Sequence, residues 1–385
     1  MLNQQQENRL LEITANLIKF KSITPNDAGS LNYIQGLLID LGFSCIRLDK
    51  NETTNLVATY GDIHNTPIFA FAGHVDVVPV GTLSKWTHDP FTLTDTNGIL
   101  YGRGIADMKG GIASFILACE IFIQSTNNNK QNQSHKSSIM IMLTSDEEGF
   151  GIDGTPVIVD YLKKNNIRLS CCLVGEPTSE HTIGDMIKIG RRGSVNCHLE
   201  IIGQDGHIAY PHLANNPIHL FTPILQEILN IKWDDGTDDF PPTSLQMSNI
   251  NSGVGVDNVI PRSLYAKFNI RYNTHHTFDS IKNKIEDILH KYKIAHNISW
   301  NNSAIPFISK KGVFVDSFIK SIQEVTGTIP KLSTTGGTSD ARFLVDVSDE
   351  IVECGLPNQY IHKIDESINK SDLIKLTEIY TLLLR

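Results

Sequence analysis

The strongest constraint on the fold is a set of short apolar runs, each ending abruptly in ionisable residues. Ile68-Phe69-Ala70-Phe71-Ala72-Gly73 runs into His74-Val75-Asp76, and Ile139-Met140-Ile141-Met142-Leu143 into TSDEEG (144–149). Cys172-Leu173-Val174-Gly175 runs into Glu176, and a further apolar run occupies 55–60. Such short runs read as strands buried on both faces. Helical periodicity marks about 8–19, 31–41 (stopped by Gly42), 110–123 and 156–164. Strands alternating with helices predict an α/β fold, with binding groups gathered where strands end and loops begin.

After residue 190 the pattern changes. A strand (194–202), a helix (216–230), two strands (244–251 and 259–272), a helix (278–292) and a last strand (297–300) form a β-α-β-β-α-β order, the signature of a compact α+β insert. Apolar alternation resumes near 305, so 1–190 and 305–385 are expected to form one domain and 191–304 another. A chain of 385 residues, 40% of them hydrophobic, is long enough for two cores. The polar segment 124–137 (QSTNNNKQNQSHKS) reads as a solvated loop.

A net charge of -9 argues against non-specific nucleic-acid binding, which needs a basic surface. No run approaches the roughly 18 apolar residues of a membrane span. The opening MLNQQQENRL has neither the basic nor the apolar region of a signal peptide. The six cysteines are scattered without a CxxC spacing, as reduced thiols of a cytosolic protein would be. The expectation is a cytoplasmic protein without a nucleic-acid or membrane partner.

The run-end residues carry the chemistry. His74 and Asp76 are two apart on an extended chain and face the same way, so the carboxylate can fix the imidazole of a metal ligand. Taken alone, the pair would favour a purely structural role. Asp107 lies in LYGRGIADMKGG (100–111), which has no phosphate-binding fingerprint; its glycines instead permit close backbone approach. Glu147, Glu148 and Glu176 follow strands, and His362 supplies a second histidine near the C-terminus. Two histidines and three carboxylates suit a pair of divalent metals bridged by one aspartate.

These segments resemble the M20 family of metallopeptidases and deacylases over nearly the whole chain. The resemblance is carried by GHVDVVP (73–79), KWTHDPF (85–91), LYGRGIADMKGG, TSDEEG and LVGEPT (173–178), and by IGRRGS (189–194), GHIAYPHLANNPIH (206–219), TGGTSDARF (335–343) and IHKIDES (361–367). It implies a zinc-exopeptidase-like α/β catalytic domain, a mixed sheet between helices. Into this is inserted a ferredoxin-like α+β lid through which members dimerise. It also implies two zinc ions per subunit, cobalt being a substitute, with His74, Asp107 and Glu176 on one and Asp107, Glu148 and His362 on the other. Asp76 would orient His74, Glu147 would be the general base, and a cis peptide would follow Asp107. Neighbouring residues of an extended chain project to opposite sides, which allows Glu147 and Glu148 separate tasks. His207 would reach a partner subunit's site as an oxyanion donor. Val75, Gln359, Tyr360 and Asp365 depart from the common pattern without removing a ligand.

The GRRGS and GHIAYPHLANNPIH segments are closest to members that hydrolyse N-succinyl-LL-2,6-diaminopimelate in lysine biosynthesis. Arg191 and Arg271 are the guanidinium candidates for that substrate's carboxylates, with Tyr210, Asn258, Gly337 and Thr338 beside them by resemblance. Arg192, Arg342, Lys109 and Lys363 receive no role. The alternatives are deacetylation of acetylornithine, hydrolysis of another N-acyl amino acid or of a dipeptide, and a catalytically silent binding protein of the same fold.

Overall fold

The apolar runs become neighbouring strands of an eight-stranded mixed sheet in the computed structural model, which describes residues 1–128 and 137–385. Across the sheet the order is Ser44–Arg47, Asn55–Tyr60, Ser138–Thr144, Ile68–His74, Leu169–Val174, Ser348–Glu353, Met186–Lys188 and Lys331–Ser333. Ile68–His74 lies between two parallel neighbours, Ser138–Thr144 and Leu169–Val174. Every residue of Ile68–His74 and of Ser138–Thr144 is buried, which is why these strands read as continuous apolar runs. His74 is level with Thr144, and Ala72 with Val174. Three parallel strands therefore release their chains at one edge of the sheet. TSDEEG, HVD and GEP all leave from there.

The helix Gly110–Asn128 packs beside Gln4–Lys19 and Lys370–Leu383. Its apolar residues Ile112, Phe115, Ile116 and Cys119 are almost completely buried. Phe115 stacks on Phe71 at 4.3 Å between ring centroids, and Tyr380 meets Phe71 edge-on at 6.2 Å. The helix continues through part of the segment expected to be a solvated loop. Residues 124–128 are helical because no proline or glycine interrupts the run, and each added residue gains a backbone hydrogen bond. The rest of that expected loop, 129–136, lies outside the described residues.

Two compact units emerge: Met1–Gly190 with Ser309–Ser333 and Ser339–Arg385, and Arg191–Ile308 with Thr334–Thr338. The second unit extends to Ile308 rather than 304. It also takes in Thr334–Thr338, where Thr334 Oγ1 donates to the Asp239 carbonyl and Arg191 Nη1 to the carbonyls of Thr335 and Gly337. This unit has the ferredoxin-like β-α-β-β-α-β order. Its sheet runs Ser244–Ser252, Ser263–Tyr272, Gly193–Ile202, His296–Ala304, all antiparallel. Alternate residues Leu264, Ala266, Phe268, Ile270 and Tyr272 are buried and share a core with Phe221, Ile224, Ile281 and Ile285 of two helices. The expected single strand 259–272 is broken. Val259–Ile260 pairs instead with Gly206–His207, because Pro261 has no N–H to continue a ladder.

No helix of the described residues is long and apolar enough to cross a membrane. All six cysteines are free thiols, four of them buried.

Candidate metal centre

At the shared strand edge, His74 is 1% exposed and its Nε2 lies 3.1 Å from Asp107 Oδ1 and 3.6 Å from Glu176 Oε1. Asp107 arrives on the turn Ile105–Lys109, where its backbone leaves helical geometry at φ -124 and ψ 91. The Asp107–Met108 peptide is cis, as the resemblance implied. The Met108 side chain fills space opened by two glycines. A Cβ on Gly73 or on Gly175 would stand 2.5 Å from Met108 Cε, so a larger residue at either place would push the Met108 side chain out of its position. His362 closes the group from the other side. Its Nε2 is 2.8 Å from Glu148 Oε1 and 3.2 Å from Asp107 Oδ2.

His362 and Asp365 have φ of 60 and 57, in the left-handed region. Asparagine, aspartate and histidine are the side chains that tolerate it best. Asp365 accepts from Thr87 N at 2.8 Å and from Thr87 Oγ1 at 2.7 Å.

Asp76 is placed differently from the simple histidine-orienting carboxylate. The nearest partner of His74 Nδ1 is the Asp76 backbone carbonyl at 2.9 Å, with carboxylate Oδ1 at 3.5 Å. The carboxylate instead accepts from Glu148 N at 3.1 Å and Glu147 N at 3.4 Å. Asp76 thus ties the two-glutamate loop to the histidine strand. Asp146 holds the far end of that loop, accepting from Ile152 N and Asp153 N at 3.0 Å each.

Three donor groups have ligand atoms within 4.8 Å of one another: His74, Asp107 and Glu176; Asp107, Glu148 and His362; and His74, Glu147 and Glu148. The first two share Asp107 and leave Glu147 over. Ligand bonds of about 2.1 Å at tetrahedral angles put donor atoms about 3.4 Å apart. The observed 2.8–3.6 Å separations match that spacing. Imidazole and carboxylate are the donors zinc and its neighbours take, so the residues fit a pair of divalent cations.

The charges are strongly interdependent. Burial pushes His74 down, but its bonds to Asp107 and Asp76 outweigh this and hold it well above its ordinary value. Burial raises Asp107, yet His362 and His74 more than offset it and leave Asp107 below the usual carboxylate range. His362 is pushed up to about 10 by Asp107 and Glu148. Loss of water, and then the charge of Glu176, raise Glu147 well above the usual carboxylate range. Asp340 adds to that effect. It is 4% exposed, its Oδ2 accepts from Thr155 Oγ1 at 2.6 Å, and its Oδ1 has no hydrogen-bond partner among the described residues. Asp340 was not among the expected site residues; its signal in the sequence is a carboxylate within TGGTSDARF.

The remaining candidates belong to the second unit and form two groups. Arg191 is bonded to Gly337, whose neighbour is Thr338. Arg271 is depressed by burial and then by the nearby charges of Arg192 and Arg191. Arg271 Nη1 and Arg192 Nε are buried without a described hydrogen-bond partner. His207, Tyr210 and Asn258 make the other group. The His207 and Tyr210 rings are 5.7 Å apart, and Ile208 N donates to the Asn258 carbonyl. Of the residues given no role, Lys109 is fully buried with Nζ donating to the Phe20 carbonyl, Lys363 Nζ donates to the Gln359 carbonyl, and Arg342 lies over the Phe343 ring.

Residues 70–385 match the sequence pattern of peptidase family M20/M25/M40. The chain is 45% identical over 375 residues to the succinyl-diaminopimelate desuccinylase of Nitrosospira multiformis, covering 97% of each chain. It is 46% identical over 372 residues to the enzyme of the same name from Hydrogenovibrio crunogenus, covering 96% of each. Among solved structures, an M20 family metallo-carboxypeptidase from Sulfolobus solfataricus aligns with a TM-score of 0.82 at 17% identity, over 100% of this chain and 99% of that one. At that identity the likeness is one of fold.

Proposed function

The chain belongs to peptidase family M20/M25/M40, and from that premise we propose that it hydrolyses the amide bond of N-succinyl-LL-2,6-diaminopimelate. The products are succinate and LL-2,6-diaminopimelate, in lysine and diaminopimelate biosynthesis. The observation that carries this reading is identity near 45% along almost the whole chain to relatives of that one activity.

His74, Asp107 and Glu176 would hold one zinc and Asp107, Glu148 and His362 the other, cobalt being able to replace either. Bound metal supplies Lewis-acid polarisation of the amide carbonyl and a water whose pKa is drawn toward about 7. Glu147 is the proton carrier. Its carboxylate takes the proton of the attacking water and delivers it to the departing amine nitrogen. Asp76 keeps Glu147 and Glu148 in register with His74 through its bonds to their backbone N–H groups.

Arg191 and Arg271 bind substrate carboxylates. Arg271 Nη1 has no hydrogen-bond partner among the described residues, which supports this assignment, since a buried guanidinium N–H needs an acceptor. Tyr210, Asn258, Gly337 and Thr338 complete substrate binding. His207 donates to the developing oxyanion in a homodimer formed through the second unit, which serves as lid to the catalytic unit. The enzyme works in the cytoplasm.

The test strips the protein of metal, restores zinc stepwise and follows succinate release from N-succinyl-LL-2,6-diaminopimelate, with acetylornithine as the competing substrate. Zinc-dependent succinate release is expected. Its absence, or preference for acetylornithine, overturns the assignment.

A further inference from the structure

The motif IHKIDES contains a second acid, Glu366, that the proposed reaction does not use. It is 1% exposed and paired with Arg103, itself 2% exposed, through a 2.8 Å bond from Nη1 to Oε2. The same carboxylate accepts three backbone donors of one loop. Gly104 N reaches Oε2 at 2.9 Å, Ala106 N reaches Oε1 at 2.9 Å, and Asp107 N reaches Oε1 at 3.2 Å. The Glu366 carbonyl in turn accepts from Gly102 N, and the following strand, Ser367–Asn369, pairs antiparallel with Ile99–Tyr101. The chain leaving His362 is thus laid against the chain arriving at Asp107, and one carboxylate laces the two together.

We infer that Glu366 is a positioning residue for the metal centre, fixing Asp107 relative to His362 so that their donor atoms arrive as a pair. This rests on the two-metal reading above. The physical reason is one of linkage. Asp107 and His362 stand far apart in the chain, yet their donor atoms lie 3.2 Å apart. Asp107 N–H is bonded directly to a carboxylate only four positions beyond His362. Asp76 performs the equivalent service between His74 and the Glu147–Glu148 loop. Each carboxylate converts a flexible loop into a fixed one by satisfying several buried N–H donors at once. An anion at this place also answers the buried Arg103 charge, whose guanidinium lies against the Trp86 ring.

A purely structural ion pair would stabilise the fold without distinguishing the two metals. A positioning role predicts an unequal effect: both groups contain Asp107, but only the group with Glu148 also depends on where His362 stands relative to it.

The experiment uses full-length protein stripped of metal and titrated with zinc by calorimetry, giving two stepwise dissociation constants. The unmodified protein is measured first. If it binds fewer than two metals, the two-metal reading fails and this inference with it. Given two metals, Glu366→Gln is expected to weaken one of them by about 10–100-fold, the usual scale for a partner that orients a ligand, and so to change the ratio of the two constants at least tenfold. Glu366→Asp keeps the charge opposite Arg103 and withdraws the carboxylate by one methylene. It guards against a glutamine variant that does not fold and is expected to change the ratio by a smaller factor. Folding is checked by circular dichroism of the metal-free proteins. Unchanged constants in folded variants, or an equal drop in both constants, would overturn the assignment while leaving the proposed reaction standing.

Discussion

Replacing Glu147 by glutamine removes one carboxyl function and leaves His74, Asp107, Glu148, Glu176 and His362 in place. Of the three donor groups at the centre, the two that share Asp107 do not need Glu147, and the third does. Two bound metals should therefore survive the change, while turnover falls by the share that a positioned acid–base group supplies. That share is about 10²–10⁴-fold, or roughly 3–5.5 kcal/mol of barrier.

Metal-free protein offers an independent readout. Burial and then Glu176 raise Glu147 in the fold, so above the ordinary carboxylate value the native state holds a proton that the unfolded chain has lost. Stability from this group consequently declines as pH rises through the window between the two values. Glutamine does not titrate, so the variant should gain on the parent as pH rises across that window. Metal content by mass spectrometry, succinate release at saturating substrate and urea unfolding of chelator-treated protein at a series of pH values measure the three quantities. Full activity, loss of one metal equivalent, or a stability difference independent of pH would each refute the division of tasks between the two glutamates.

Asp76→Asn should weaken metal binding about 10–100-fold, since the carboxylate accepts the Glu147 and Glu148 N–H groups; competition with a chelator measures it, and unchanged affinity would count against that link. His362 is held at about 10 in the metal-free fold, above its unfolded value of 6.5. Its stabilisation is fully present below about 6.5 and lost as pH rises through about 10, so denaturant titrations of chelator-treated His362→Gln should lack that decline. Phe71→Ala removes a fully buried ring stacked on Phe115 and should cost about 3–5 kcal/mol in chemical denaturation. A change within about 0.5 kcal/mol, the range of an exposed site, would contradict the packing.

Much of this was legible locally. Ile68–His74 and Ser138–Thr144 announced themselves because a central parallel strand is buried on both faces and needs apolar residues throughout. His74, Glu148 and Glu176 were visible for a related reason, because ionisable groups gather where such apolar runs end. The alternating strands after residue 190 were equally plain, although apolar alternation carries on across the proline that splits 259–272. The polar composition of 124–128 misled in the other direction: helix propagation depends on backbone bonds and the absence of a breaker, and polar side chains do not prevent it.

Residue type and strand periodicity are properties of neighbouring positions, so the sequence by itself determined the α/β class, the two sets of elements and the chemical kinds of ligand. Which N–H a carboxylate accepts is decided by loops that meet only after the sheet has assembled. Asp76 turning its carboxylate to Glu148 N, Asp340 entering the electrostatics of Glu147, and Glu366 lacing the Asp107 turn to the His362 loop all depend on that meeting. A buried carboxylate must find donors wherever packing brings them, and only the tertiary structure says where that is.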